Sequence, residues 1–119
     1  MVRVLFVEDS DEDVFIATHR LEKSGMDVDV RTVCRSDEFK GALSSWQPDI
    51  ILSDVSVPGF DGFAALDIAR VAAPQIPFLF FSGGGDKRMI DAVERGAYAV
   101  VNKDYADQLA TLVNQALRR

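Results

Sequence analysis

Apolar residues follow two rhythms along the chain: short runs rich in β-branched and aromatic side chains, and longer stretches in which they recur every three to four positions. Residues 2–7, 28–33, 49–53, 77–82 and 98–101 read as strands, and most of them are apolar on both faces, as buried parallel strands must be. Between them, Phe39, Ala42, Leu43 and Trp46 fall on one helical stripe, and so do Ala65, Ile68, Ala69 and Ala72. Leu109, Leu112, Val113, Ala116 and Leu117 carry the same spacing to the C-terminus. Helices are expected to start near Asp11, Ser36 and Asp86, where an Asp or Ser side chain can cap free backbone N–H groups. Gly25 and Gly96 stand where the preceding helices should end. Successive βα units with right-handed crossovers predict an α/β fold, a doubly wound five-stranded parallel sheet with helices on both faces. In such a sheet the ligand site lies outside the carboxyl ends of the strands, where the strand order reverses.

Composition narrows the function classes. A chain of 119 residues, 48% apolar and 27% charged, has the balance of one ordinary globular domain. No internal repeat, linker or low-complexity tract interrupts it, and the last helix runs to Arg118 and Arg119 with no start of a second domain, so residues 1–119 are expected to form one domain without an output domain. A net charge of −6 repels phosphate backbones and anionic lipid, which argues against nucleic-acid binding by this domain and against a membrane surface. Apolar stretches such as residues 76–81 are far too short to span a bilayer, and the N-terminus lacks a signal-like pattern. The expected location is therefore cytoplasmic. Cys34 is the single cysteine, cannot form an intrachain disulfide, fits a reduced compartment and is given no function.

Candidate chemistry gathers at the predicted strand ends. Strand one ends in Glu8 and Asp9, strand three in Asp54, strand four in Ser82, and strand five just before Lys103. Three carboxylates on one rim repel one another unless a cation neutralises them, and hard oxygen donors select magnesium, manganese or calcium, with magnesium the economical choice. One carboxylate can then act as a nucleophile, while a lysine neutralises an incoming phosphoryl group. Phosphoryl transfer needs mainly positioning and charge stabilisation, and this set supplies both.

The motifs are specific. Val4-Leu5-Phe6-Val7-Glu8-Asp9, Asp54-Val55-Ser56-Val57-Pro58-Gly59-Phe60-Asp61-Gly62, Phe81-Ser82-Gly83, and Gly96-Ala97 seven residues before Lys103 occur in that order. Over essentially its whole length the chain resembles a response-regulator receiver domain of two-component signalling. The resemblance implies a flavodoxin-like sheet of strand order 2-1-3-4-5. It implies Asp54 as phosphoacceptor, and Glu8, Asp9, Asp54 and the Ser56 backbone carbonyl as magnesium ligands, with Glu8 acting directly or through water and manganese as an alternative metal. Ser82 and Lys103 are implied to bind the phosphoryl group. The implied donor is a phosphohistidine on a sensor histidine kinase or a histidine phosphotransfer protein, and the output partner is unknown, a homodimer being left open. Such a domain is not an enzyme in the usual sense, since it catalyses only its own phosphorylation and dephosphorylation.

The chain departs from the family pattern at several positions. Val57 stands where Met is usual, and Asp104 where the family has a proline in a cis peptide, so the Lys103–Asp104 bond is expected to be trans. The Lys-Asp pair is similar to a receiver subgroup often joined to sensory or kinase modules; Asp104 as cap of the last helix is the alternative. In the family, movement of the hydroxyl at the Ser82 position frees space for a switch aromatic and links phosphorylation to helix four, strand five and helix five. That aromatic position holds Val100, which predicts weaker or different coupling unless Tyr98 or Tyr105 substitutes. Gly83, Gly84 and Gly85 predict a soft loop, and the small Ser56, Gly83 and Gly84 a short-lived phosphoaspartate open to water.

Other features are assigned bland roles. Asp11, Glu12 and Asp13 are read as a solvated face favourable at a helix N-terminus. His19 is read as a surface residue without an orienting partner, Asp61 and Gly62 as turn and helix-start residues, and Trp46 as core. Two rivals to a working receiver remain. One is a degenerate receiver acting only as a docking or dimerisation module. The other is a flavodoxin-like small-ligand protein, whose flavin phosphate the three carboxylates would repel without a cation.

Overall fold

The structure, a computed structural model, describes residues 1–84 and 86–118. Gly85 of the glycine run and the terminal Arg119 lie outside the described residues. The elements run β1 (Val2–Val7), α1 (Asp11–Lys23), β2 (Val28–Val33), α2 (Ser36–Ser45), β3 (Ile50–Ser53), a two-residue-strand hairpin of β4 (Ser56–Val57) and β5 (Phe60–Asp61), α3 (Gly62–Ala72), β6 (Phe78–Ser82), β7 (Ala99–Asn102) and α4 (Leu109–Arg118). The main sheet has the order β2-β1-β3-β6-β7 with every pairing parallel, which is 2-1-3-4-5 counted over its own five strands. The doubly wound α/β fold expected from the alternating pattern is the fold observed.

Side-chain alternation along the strands builds two cores. Leu5, Val7, Ile51, Phe78 and Phe80 face α2 and α3, where Phe63 meets Phe80 with ring centroids 4.8 Å apart. Val4, Phe6, Ile50, Leu52, Leu79, Phe81 and Val101 face α1 and α4. Each fully buried large apolar side chain contributes roughly 1.5–3 kcal/mol, and the two layers together cover both faces of the sheet. The predicted strands at 49, 77 and 98 begin one residue later, though the flanking residues still join the ladder: the N–H of Asp49 donates to the Arg3 carbonyl, that of Ile51 to the Pro77 carbonyl and that of Tyr98 to the Phe78 carbonyl. The last strand runs on to Asn102, which pairs with Ser82.

Several local expectations are corrected. The helix expected from Asp86 is only a 3₁₀ turn over Lys87–Asp91, although Asp86 does cap it by accepting the Arg88 N–H at 2.9 Å. No residue of that turn is buried and Ile90 and Val93 are exposed, so there is little apolar face to stabilise a longer helix. Asp104 does not cap the last helix. The Asn102 side chain accepts the Asp104 N–H at 2.8 Å, opening a 3₁₀ turn over Lys103–Gln108 that precedes α4. Ser10, not Asp11, caps α1, and α2 starts at Ser36 behind Arg35 with no side-chain cap bond. Trp46 is half-buried at the end of α2, with the Arg31 guanidinium 4.5 Å above its ring, so it seals the rim of the core and does not fill it.

The register brings the strand ends level. Val7 pairs with Ser53, Ser53 with Phe80, and Ser82 with Asn102. The residues that follow β1 and β3 are therefore neighbours at the point where the strand order reverses, and those at the ends of β6 and β7 lie along the same rim.

Candidate functional site

Glu8 leaves β1 almost completely buried, with its N–H donated to the Val33 carbonyl of β2. Asp54 leaves β3 and donates its N–H to the Val7 carbonyl at 3.0 Å, so the backbone of the two adjacent strands fixes both residues. Lys103 enters from the end of β7. Its Nζ donates to Glu8 Oε1 at 2.9 Å, to Asp54 Oδ2 at 3.3 Å and to Asp13 Oδ2 at 2.6 Å. All four side chains are at most about a quarter exposed, which spares these charges much of the screening of bulk water.

The remaining oxygens of Glu8 and Asp54 are also engaged. Glu8 Oε2 accepts the N–H groups of Asp9 and Ser10 at 3.2 and 3.3 Å, and Asp54 Oδ1 accepts the Val55 N–H at 2.7 Å. Burial pushes the Glu8 carboxyl up, further aided by the Asp54 charge, and the hydrogen bond and charge of Lys103 only partly offset it. For Lys103, burial works against the charged form, yet the hydrogen bonds to Asp13 and Glu8 and the charges of Glu8 and Asp54 outweigh it and hold the ammonium well above the usual lysine range. The lysine is thus a fixed cation throughout the physiological pH range.

Of the residues predicted from sequence, the structure brings Glu8, Asp54 and Lys103 into direct contact. Asp9 is exposed beside them and is tied in through its backbone N–H. Ser82 is buried at the end of β6, next to the strand that delivers Lys103, and Ser56 is exposed in the β4–β5 hairpin just after Asp54. Val100 is partly exposed on β7, Tyr98 is half-buried against the α1–α4 core, and Tyr105 is largely exposed in the 3₁₀ turn. Every described peptide bond is trans, that between Lys103 and Asp104 included.

Asp13 is the residue that sequence reasoning missed. It was read as part of a solvated acidic face, whereas its carboxylate makes the shortest contact to Lys103. The available signal was its place in the first turn of α1: helical side chains tilt toward the N-terminus, so an acid there points back over the strand ends.

Among the described residues no three His, Cys, Asp or Glu side chains stand at metal-holding spacing, and the position they surround is taken by the Lys103 ammonium. The donor chemistry still suits a hard divalent cation. Glu8 and Asp54 already converge on one positive centre, all the ligand atoms they offer are oxygen, and one ammonium among three carboxylates leaves negative charge unbalanced.

The model of the response regulator receiver domain matches residues 4–114. The chain belongs to the response regulator receiver domain family. This receiver is 29% identical over 118 residues to the nitrogen assimilation regulatory protein NtrX of Azorhizobium caulinodans, covering 96% of this chain and 26% of that protein. It is 34% identical over 119 residues to the phosphoglycerate transport system transcriptional regulatory protein PgtA of Salmonella typhimurium, covering 98% and 28%. The chain thus spans about a quarter of the length of the curated relatives it matches. Among solved structures, the receiver domain of NtrX from Brucella abortus superposes with a TM-score of 0.85 at 28% identity, covering 97% of this chain and 98% of that one. Among the described residues no helix is long and apolar enough to cross a membrane.

Proposed function

We propose that this receiver accepts a phosphoryl group on Asp54 from a histidine phosphodonor and presents an altered surface to a partner. The observation that carries the reading is the Lys103 ammonium, 95 positions from Glu8 in the chain, bonded to both Glu8 and Asp54 across the strand ends. Asp54 Oδ1 is held by the Val55 N–H, which orients Oδ2 toward Lys103 as the attacking oxygen. Attack on phosphorus forms the P–O bond as the donor's P–N bond breaks, with the imidazole as leaving group. Lys103 neutralises charge on the transferred group, and the Ser82 hydroxyl donates to one of its oxygens. Glu8, Asp9, Asp54 and the Ser56 carbonyl are the groups that would hold a magnesium ion, with manganese as a substitute, and the ion supplies charge neutralisation on the phosphoryl oxygens. The exposed Ser56, Gly83 and Gly84 leave the product open to water.

Residues 1–119 act in this reading as one receiver unit whose partners are a sensor histidine kinase or histidine phosphotransfer protein upstream and an unidentified output partner downstream. Incubation with magnesium and acetyl phosphate should add one phosphoryl mass to the protein, and Asp54→Asn should abolish the adduct. If wild type gives no adduct at saturating magnesium and does not bind beryllofluoride, the phosphoacceptor reading fails and a docking or dimerisation module takes its place.

A further inference from the structure

We propose that Asp13 is a positioning residue that holds Lys103 over the acceptor carboxylate, an inference that rests on Asp54 being the phosphoacceptor. A lysine ammonium has three N–H donors, and here three carboxylates take them. Two of those partners have other duties. Glu8 also accepts two backbone N–H groups of the β1–α1 loop, and Asp54 also accepts the Val55 N–H and is the reacting group. Among the described residues Lys103 is the one partner of the Asp13 carboxylate, and their contact, at 2.6 Å, is the shortest of the three.

Asp13 itself is well anchored. Its N–H donates to the capping Ser10 side chain at 3.3 Å, and the next N–H, that of Val14, donates to the Ser10 carbonyl at 3.1 Å, so the first turn of α1 presents the carboxylate from a fixed frame. Lys103, by contrast, carries a flexible four-carbon stem whose ordering costs entropy at every turnover unless a partner holds it in advance. When Asp54 takes up a phosphoryl group and Glu8 is drawn to other charge, the two N–H donors now spent on Glu8 and Asp54 turn to the phosphoryl oxygens. The third stays on Asp13, which keeps the ammonium at the site. In this chain the aim of the lysine is thus set by a side chain of α1.

A double-mutant cycle tests this with four proteins: wild type, Asp13→Ala, Lys103→Ala and the double variant, with Asp13→Asn as the conservative control. Asp13→Ala should slow phosphorylation by acetyl phosphate about tenfold, and Asp13→Asn about threefold because the amide oxygen still accepts a hydrogen bond. In the Lys103→Ala background, Asp13→Ala should cost less than about twofold more, since its target is gone. With EDTA in place of magnesium and no phosphodonor, thermal unfolding of the same four proteins should show non-additive effects at positions 13 and 103. Wild-type or faster phosphorylation of Asp13→Ala, or equal losses in both backgrounds, would overturn the proposal alone. If Lys103→Ala itself reacts at the wild-type rate, the role of Lys103 in the acceptor reading falls and this proposal with it.

Discussion

Glu8 and Lys103 owe their behaviour to burial as much as to their neighbours. The Glu8 carboxyl is raised mainly by the loss of water around it, and Lys103 remains charged because its carboxylate partners more than repay its own burial. The same field reaches Cys34, whose Sγ donates to the Glu8 carbonyl at 3.3 Å. Burial, then the charges of Asp9, Glu38, Glu8 and Asp11, push the Cys34 thiol above its ordinary range. A raised thiol has less thiolate at a given pH, so alkylation of Cys34 by iodoacetamide at pH 8 should be slower than that of the urea-unfolded chain. Saturating magnesium should then accelerate it in the folded protein by neutralising Asp9 and Glu8. An alkylation rate indifferent to magnesium would argue against a cation on those two carboxylates. His19 has no comparable role: it is exposed on α1 with its ring stacked on Phe15, as expected of a surface residue.

The elements most sensitive to substitution are those that touch the loop after Asp54. Gly62 opens α3 and donates its N–H to the Val55 carbonyl at 2.8 Å. A Cβ there would run into the Asp54 carbonyl oxygen and the Val55 backbone, neither of which can give way without moving the acceptor. Gly62→Ala should therefore destabilise the fold by roughly 1–3 kcal/mol, read by urea denaturation, and lower phosphorylation of Asp54 at the same time; a substitution that changes neither would show that the loop is free to shift. Next to it, Asp61 makes no capping bond to α3 because Arg88 takes both its carboxylate oxygens, at 2.9 Å each, while also pairing with Asp86. The capping signal at Asp86 was legible from sequence; what it could not reveal is that Lys87–Asp91 would bury no residue fully, with only Met89 packed against the core, and with so small a buried face the segment stays a 3₁₀ turn.

For the molecule as a whole, the parallel sheet is the device that collects charges from distant parts of the chain onto one rim. One ammonium balances three carboxylates there only in part, so a bound divalent cation, and a phosphoryl analogue bound together with it, should stabilise the folded state by mass action. Magnesium alone should raise the melting temperature, EDTA should reverse the rise, and beryllofluoride with magnesium should raise it by several degrees more, in line with about 2.7 kcal/mol at a hundredfold excess over Kd. Asp54→Asn should lose the beryllofluoride increment. No response of the wild-type melting temperature to either ligand would leave the rim without its assigned purpose.

The five main strands, the layers and the position of Glu8, Asp9, Asp54, Ser82 and Lys103 at strand ends were readable in the chain, because they follow from hydrophobic period and from which polar residues interrupt it; the strand order came only with the family resemblance, and the β4–β5 hairpin gave no periodic signal. The grip of Asp13 on Lys103, the shortening of the segment after Asp86, and the capture of Asp61 by Arg88 were not. Each depends on which side chains meet across elements far apart in sequence, a matter of register and packing that periodicity does not encode. Local pattern placed the acids at the ends of the strands, and packing chose which of them hold the lysine.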